Sequence, residues 1–261
     1  MFKPLKIKIH RLNVNALRLI KSTQYLLAFT LIAVIFSACH HSENGKEEGQ
    51  SYHNNTEEKQ AQSKEGHSTS ANKHMHSSST EELIERFESA ERDTYQQPEK
   101  VMDYLGDVQG MKIMDIGAGS GYFSVKLAKA GADVIAADVN DEFLAHIEQR
   151  KNKASLSNIE LRKIPFDSPA LEKAEVDMVL IVNTYHHIEN RREYFKELKK
   201  GLKSEGHLLI IDFYKTELPV GPPLHHKVSL DVVLAELKDA GYTDIELNVT
   251  LLPYQYILKT N

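Results

Sequence analysis

The sequence predicts an α/β fold: a doubly wound mixed sheet of seven strands, helices on both faces, the last strand antiparallel. Three observations carry that prediction. After residue 79, short apolar runs alternate with stretches of helical period, the pattern of parallel strands joined by right-handed crossovers. A glycine-rich turn, "GAGSG", stands between the first of those runs and the next helix. The chain closes on two apolar segments separated by "PY", too short a link for a crossover, so that pair is a hairpin.

Composition divides the 261 residues unequally. Residues 1–38 have the order of an export signal: six basic side chains up to Lys21, then an uncharged run containing "YLLAFTLIAVIF", then small residues. "FSAC" resembles the lipobox of bacterial lipoproteins, in which Cys39 would be lipidated and anchor the chain to a membrane with the rest exported. An uncleaved signal anchor is the alternative. Cys39 is the only cysteine, so no internal disulfide exists. Residues 39–78 are rich in His, Ser and Glu and too polar to offset the entropy of ordering, so they read as a tether. Its "HMH" is either a weak metal ligand or part of a solvated spacer.

Residues 79–106 form a helical cap on the sequence reading. "STEELIERFESAERD" opens on a capping box, Ser79 with Glu82, and carries an apolar stripe of Leu83, Ile84, Phe87 and Ala90. Pro98 starts a second helix and Gly106 stops it. Residues 107–261 hold the α/β unit. Its strands are "KIMDI", "DVIAAD", "NIELRK", "VDMVLIVN", "GHLLIIDF" and the two closing segments "DIELNVTLL" and "YQYILKT". The helices between them are "GYFSVKLAKAG", "EFLAHIEQRKNK", "RREYFKELKKGL" and "SLDVVLAELKDAG", the last capped by Ser229. About 160 residues in such a unit bury close to 70% of the extended chain's surface, enough for one core.

The glycines Gly117, Gly119 and Gly121 let a ligand approach the backbone, or only permit a tight turn. Their spacing departs from the dinucleotide fingerprint, because Tyr122 stands where the third glycine belongs, which disfavours a nicotinamide oxidoreductase. Asp138 ends the second strand, where a carboxylate can accept from a ribose diol or cap the next helix. Asp115, at the first strand tip, repels a pyrophosphate and suits an ammonium group. The charges fit a ligand with a ribose and an amino group but no phosphate. A net charge of −5 and the absence of a base-stacking motif argue against nucleic acid as a partner.

With Asp138, "DIGAGSG" resembles the first motif of the class I S-adenosylmethionine-dependent methyltransferases, and "VDMVLIVNTYHHIEN" is similar to their fourth strand and its loop. The resemblance covers residues 95–261 and implies a Rossmann-like fold with S-adenosyl-L-methionine as cofactor. It implies that Gly117, Gly119 and Gly121 contact the methionyl part, Asp115 its amino group, Asp138 the ribose, Val139 the adenine, and that Asn183 lies beside the methyl donor. Asp167 either reaches the adenine amine or caps a turn.

Tyr185, His186 and His187 follow the fourth strand and are the candidate catalytic residues, with packing against the next helix as the alternative fate of the histidines. His225 and His226 sit in "GPPLHH", a closing loop or a rigid turn. The predicted activity is methyl transfer to a small-molecule acceptor, with no resident metal. A lipoprotein that keeps the fold and binds a metal or metabolite without turnover is the competing reading.

Overall fold

The computed structural model describes residues 6–10 and 78–261. Cys39, the apolar run of the leader and the histidine-rich tether lie outside the described residues.

The sheet has eight strands, one more than the sequence predicts. They are β1 (Lys6–His10), β2 (Lys112–Ile116), β3 (Asp133–Asp138), β4 (Ile159–Lys163), β5 (Val176–Val182), β6 (Leu202–Phe213), β7 (Asp244–Asn248) and β8 (Gln255–Thr260), in the spatial order β1-β7-β8-β6-β5-β2-β3-β4. The extra strand is β1. It falls in the basic flank read as part of the leader, and pairs parallel with β7 from Lys6↔Asp244 to His10↔Asn248. β8 runs antiparallel to both β6 and β7, as the short closing link requires. All remaining pairs are parallel.

The helices are α1 (Thr80–Phe87), α2 (Ala90–Gln96), α3 (Pro98–Leu105), α4 (Tyr122–Lys129), α5 (Asp141–Lys153), α6 (Arg191–Gly201) and α7 (Leu230–Asp239). The first predicted helix is divided in two, and Ser89 divides it. Its hydroxyl donates to Arg86 O (2.9 Å) and accepts from Arg92 N (3.3 Å), ending α1 and capping α2 in one residue. The Ser79–Glu82 capping box is present. Ser229 occupies the α7 cap position without the expected side-chain bond. β7 stops at Asn248, short of the predicted end, because Asn248 Oδ1 accepts from Thr250 N (3.1 Å) and Leu251 N (3.0 Å) and turns the chain.

Strand side chains alternate between two apolar layers. Met114, Ile116, Val179 and Ile181 face α6 and α7, where they meet Phe195, Leu198, Val233 and Leu237. Ile113, Val134, Met178 and Leu180 face the other way, onto Val101, Phe123, Leu127 and Ile147. Strands buried on both faces need uninterrupted apolar runs, which is why "VDMVLIV" lacks a polar alternation. From β2 the chain winds outward through β3 and β4, then returns across β2 to β5. The crevice at that reversal lies beyond the ends of β2, β3 and β5, where Gly117, Asp138 and Asn183 stand.

Candidate active site

A cavity of about 850 Å³ opens over those strand ends. Gly117, Gly119, Asp138, Val139, Asn183, His186 and His187 line it, so seven of the predicted residues converge on one space. Asp115, Gly121 and Tyr185 do not line it.

The turn after β2 is a closed hydrogen-bonding unit. Gly117 N and Ala118 N both donate to Ala137 O (2.9 and 3.1 Å), Gly119 N donates to Asp138 Oδ2 (2.9 Å), and Gly121 N donates to Ala118 O (2.8 Å). Those four N–H groups are therefore spent within the protein and are not offered to a ligand phosphate. Gly117 has φ +71°, and a Cβ there would lie 2.4 Å from Thr184 Cγ2, so this glycine makes room for the β5 loop. At Gly121 a Cβ would meet Ile147 Cγ1 at 3.0 Å, which gives that residue a role in seating α4 against α5.

Asp138 is 5% exposed and holds the turn from the side of β3, its second oxygen accepting from Asn140 N (2.9 Å). The Val139 N–H is a third backbone donor, and the carboxylate retains lone-pair capacity for a ligand hydroxyl. Burial pushes its carboxyl above the ordinary range, opposed by the backbone donors of Gly119 and Asn140. Asp115 is corrected in position: it is 3% exposed, accepts from Ser124 Oγ (2.6 Å) and faces α4 rather than the cavity. Desolvation pushes its carboxyl up to about 6, against the pull of the Ser124 bond and of Arg92.

Arg92, on α2, was not legible as a site residue. Its guanidinium sits 4.0 Å over the Tyr122 ring and donates through Nη1 to Phe87 O (3.1 Å). Nε is buried with no hydrogen-bond partner, yet the side chain lines the cavity. Burial lowers its pKa from the usual arginine value. A buried cation with an unused donor beside an open space is suited to a carboxylate. The helical cap closes this end of the cavity, with Thr80 Oγ1 hydrogen-bonded to Glu142 and the Phe87 and Phe143 rings 5.9 Å apart.

Comparison with known proteins agrees with this geometry. A family model described as "Methyltransferase domain" matches residues 114–210. A ubiquinone biosynthesis O-methyltransferase from Acinetobacter baumannii is 27% identical over 172 residues, 59% of this chain and 72% of that protein. The crystal structure of a SAM-dependent methyltransferase from Aquifex aeolicus is 28% identical, with a TM-score of 0.63 over 70% of this chain and 98% of that one. A Mesorhizobium loti S-adenosylmethionine-dependent methyltransferase, 16% identical, shares the fold with a TM-score of 0.53 over 63% of this chain and 96% of that one. In its motif region and its fold the chain is similar to the class I S-adenosylmethionine-dependent methyltransferases.

The other end of the cavity is built from the loops after β5 and β6. Asn183 takes a left-handed conformation (φ +56°) and donates through Nδ2 to Gln96 Oε1 (3.0 Å), while its Oδ1 accepts from Gln255 Nε2. Gln96 Nε2 and Gln255 Oε1 are buried without partners. His186 Nδ1 stands 3.1 Å from Asp212 Oδ2, both side chains almost fully buried, and Asp212 Oδ1 accepts from Phe213 N (2.7 Å). Asp212 sits near the end of β6 and was missed because "IIDF" reads as an ordinary strand end.

Tyr185 is corrected: it is fully buried, stacks on Phe195 at 5.2 Å and donates to Glu236 Oε2 (2.5 Å), so it packs in the core under α6 and α7. Val139 and Phe166 line the cavity beside Asp138, and Asp167 does not. His226 reaches it from the "GPPLHH" loop, and His225 does not. Among the described residues no group of three or more His, Cys, Asp or Glu is arranged to hold a metal ion, and no helix is long and apolar enough to cross a membrane.

Proposed function

We propose that the protein transfers a methyl group from S-adenosylmethionine to a small-molecule acceptor. The observation that carries this reading is the pairing of opposite charges across one cavity: Asp138 at the tip of β3 and, on the helical cap, the guanidinium of Arg92, whose Nε has no hydrogen-bond partner. A sulfonium nucleoside has a ribose diol for the first and an amino-acid carboxylate for the second. Val139 and Phe166 offer apolar surface for its base, next to Asp138. The spent N–H groups of the glycine turn favour a ligand without phosphates.

The bound nucleoside supplies an electrophilic methyl group, and this chain's residues align and desolvate the reactants. Gly117 and Asn183 stand at adjacent strand ends between the nucleoside half and the histidines, where donor and acceptor would meet. His186 is available to take a proton from the acceptor. The curated relatives from Acinetobacter are named as O-methyltransferases, which is compatible with an oxygen acceptor. Titration calorimetry of the protein with S-adenosylhomocysteine and with NAD tests the reading: the first should bind and the second should not. Binding of NAD alone would overturn it.

The sequence reading of the leader extends the proposal to location: a domain held at the outer face of a membrane by an acylated Cys39. Processing that stops in the presence of globomycin supports it, and processing indifferent to globomycin removes the lipid anchor.

A further inference from the structure

The charges lining the cavity are segregated. Its three carboxylates, Asp138, Asp141 and Glu142, all come from the end of β3 and the start of α5. The opposite end is walled by Tyr95, Phe213, Pro222 and Pro223, with the imidazoles of His186 and His226. No carboxylate of the described residues lines that end, and the Tyr95 and Phe213 rings stand 5.9 Å apart to form an apolar wall. An ammonium acceptor would meet no carboxylate in that wall, only the imidazole that stands in front of Asp212. A flat, apolar molecule bearing a weakly acidic hydroxyl would meet a face to pack on and a base.

Asp212 decides how that base is presented. Its Oδ2 at 3.1 Å from His186 Nδ1 takes the ring's N–H in the neutral form, which leaves Nε2 as the proton acceptor. Phe213 N fixes the other carboxylate oxygen, so the pair is held by β6 independently of the cap helices. Resting on the methyltransferase reading, we propose that the acceptor is a phenol or enol, with His186 as its base and Asp212 as the positioning residue that orients the imidazole and balances its charge after protonation. The acceptor O–H bond breaks as its proton passes to Nε2. The oxygen's electron pair forms the new O–C bond, and the pair of the broken C–S bond remains on sulfur.

The test is a titration of the full chain with 4-nitrophenol, with and without saturating S-adenosylhomocysteine, at a pH where the free probe is mostly protonated. The bound probe should show the phenolate absorbance band. His186→Gln should abolish that band and weaken probe binding roughly tenfold, the size of a lost charge-assisted hydrogen bond. Asp212→Asn keeps a hydrogen-bond acceptor for Nδ1 but not its charge, so the probe should still bind and remain protonated. A merely structural Asp212 would leave the band unchanged. Protonated probe in the wild-type complex overturns the proposal without recourse to any variant, and so does displacement of the probe by benzylamine at lower concentration than by phenol. Calorimetry with S-adenosylhomocysteine on the same samples separates the two levels: loss of nucleoside binding by the wild type sinks both, whereas nucleoside binding with an un-ionised probe sinks only this one.

Discussion

The backbone N–H of Gly119 donates to Asp138 Oδ2 at 2.9 Å, so the turn after β2 is fastened to the tip of β3 before any ligand arrives. One carboxylate therefore shapes the turn and, in the proposed function, also offers lone pairs to a ribose. Asp138→Ala separates them. Loss of charged hydrogen bonds to a ligand costs about 1.5–3 kcal/mol, so affinity for S-adenosylhomocysteine should fall tenfold or more by calorimetry. The melting temperature should also fall by a few degrees, because Gly119 N is left unsatisfied. A lower melting temperature with unchanged affinity would reduce Asp138 to a clamp.

The strand and helix order from residue 112 onward was legible because buried parallel strands and amphipathic helices leave different periods in the sequence. Three cavity-lining residues, Gly117, Gly119 and Asp138, were legible for a related reason: local chain geometry demands them, and they occur together within one turn and the next strand end. Arg92 and Asp212 were not. Each matters through a partner distant in sequence, a cavity wall in one case and His186 in the other, and neither breaks a local pattern. Asp115 and Tyr185 were misplaced for the complementary reason. A strand-tip acid or a loop tyrosine looks available in sequence, and only the fold shows Ser124 and Glu236 already holding them.

β1 was hidden because a five-residue edge strand of alternating Lys and Ile reads equally well as the basic flank of a leader. Ile7 and Ile9 are 43% and 52% exposed, so the strand contributes main-chain pairing with β7 and little apolar burial. Removing residues 1–12 should lower the melting temperature by only about 2–4 °C, the shift of roughly 1 kcal/mol in a domain of this size, and leave nucleoside affinity unchanged. A collapse of the thermal transition would show β1 to be integral to the sheet. If the leader is cleaved before Cys39, the mature sheet is the seven-stranded one that the sequence predicts.

Asp115 gives the fold a pH signature. Its carboxyl is raised by burial from 3.8 to about 6, so between those values the native state holds a proton that the unfolded chain has released. Stability from this group is complete below the unfolded value and is lost as pH rises through about 6, with an order of magnitude of about 3 kcal/mol. Asp138, raised in the same direction by burial, adds to the slope. Asp115→Asn keeps a partner for Ser124 Oγ and removes the titration, so urea melts from pH 4 to pH 7 should show a shallower decline than the wild type. An identical decline would mean that Asp115 stays ionised throughout.

Arg92 sets stability and binding against each other. Its guanidinium is buried, faces no carboxylate at ion-pair distance among the described residues, and retains an unpartnered Nε, so the folded protein bears a desolvation cost only partly offset by the Tyr122 ring at 4.0 Å and Phe87 O. Arg92→Met preserves the apolar stem against Phe87 and Tyr122 while removing the charge. Its melting temperature should match or exceed that of the wild type, since removing an unpaired buried charge for a residue of similar reach is neutral or favourable. Its affinity for S-adenosylhomocysteine should nevertheless drop roughly tenfold or more, because the amino-acid carboxylate loses a charge-assisted partner. Adenosine, which has the ribose and base but no carboxylate, should bind both proteins alike. That contrast makes the assignment specific: a loss shared by adenosine would place Arg92 in the architecture of the cavity, and a loss confined to the carboxylate-bearing ligand places it in contact with the methionyl end.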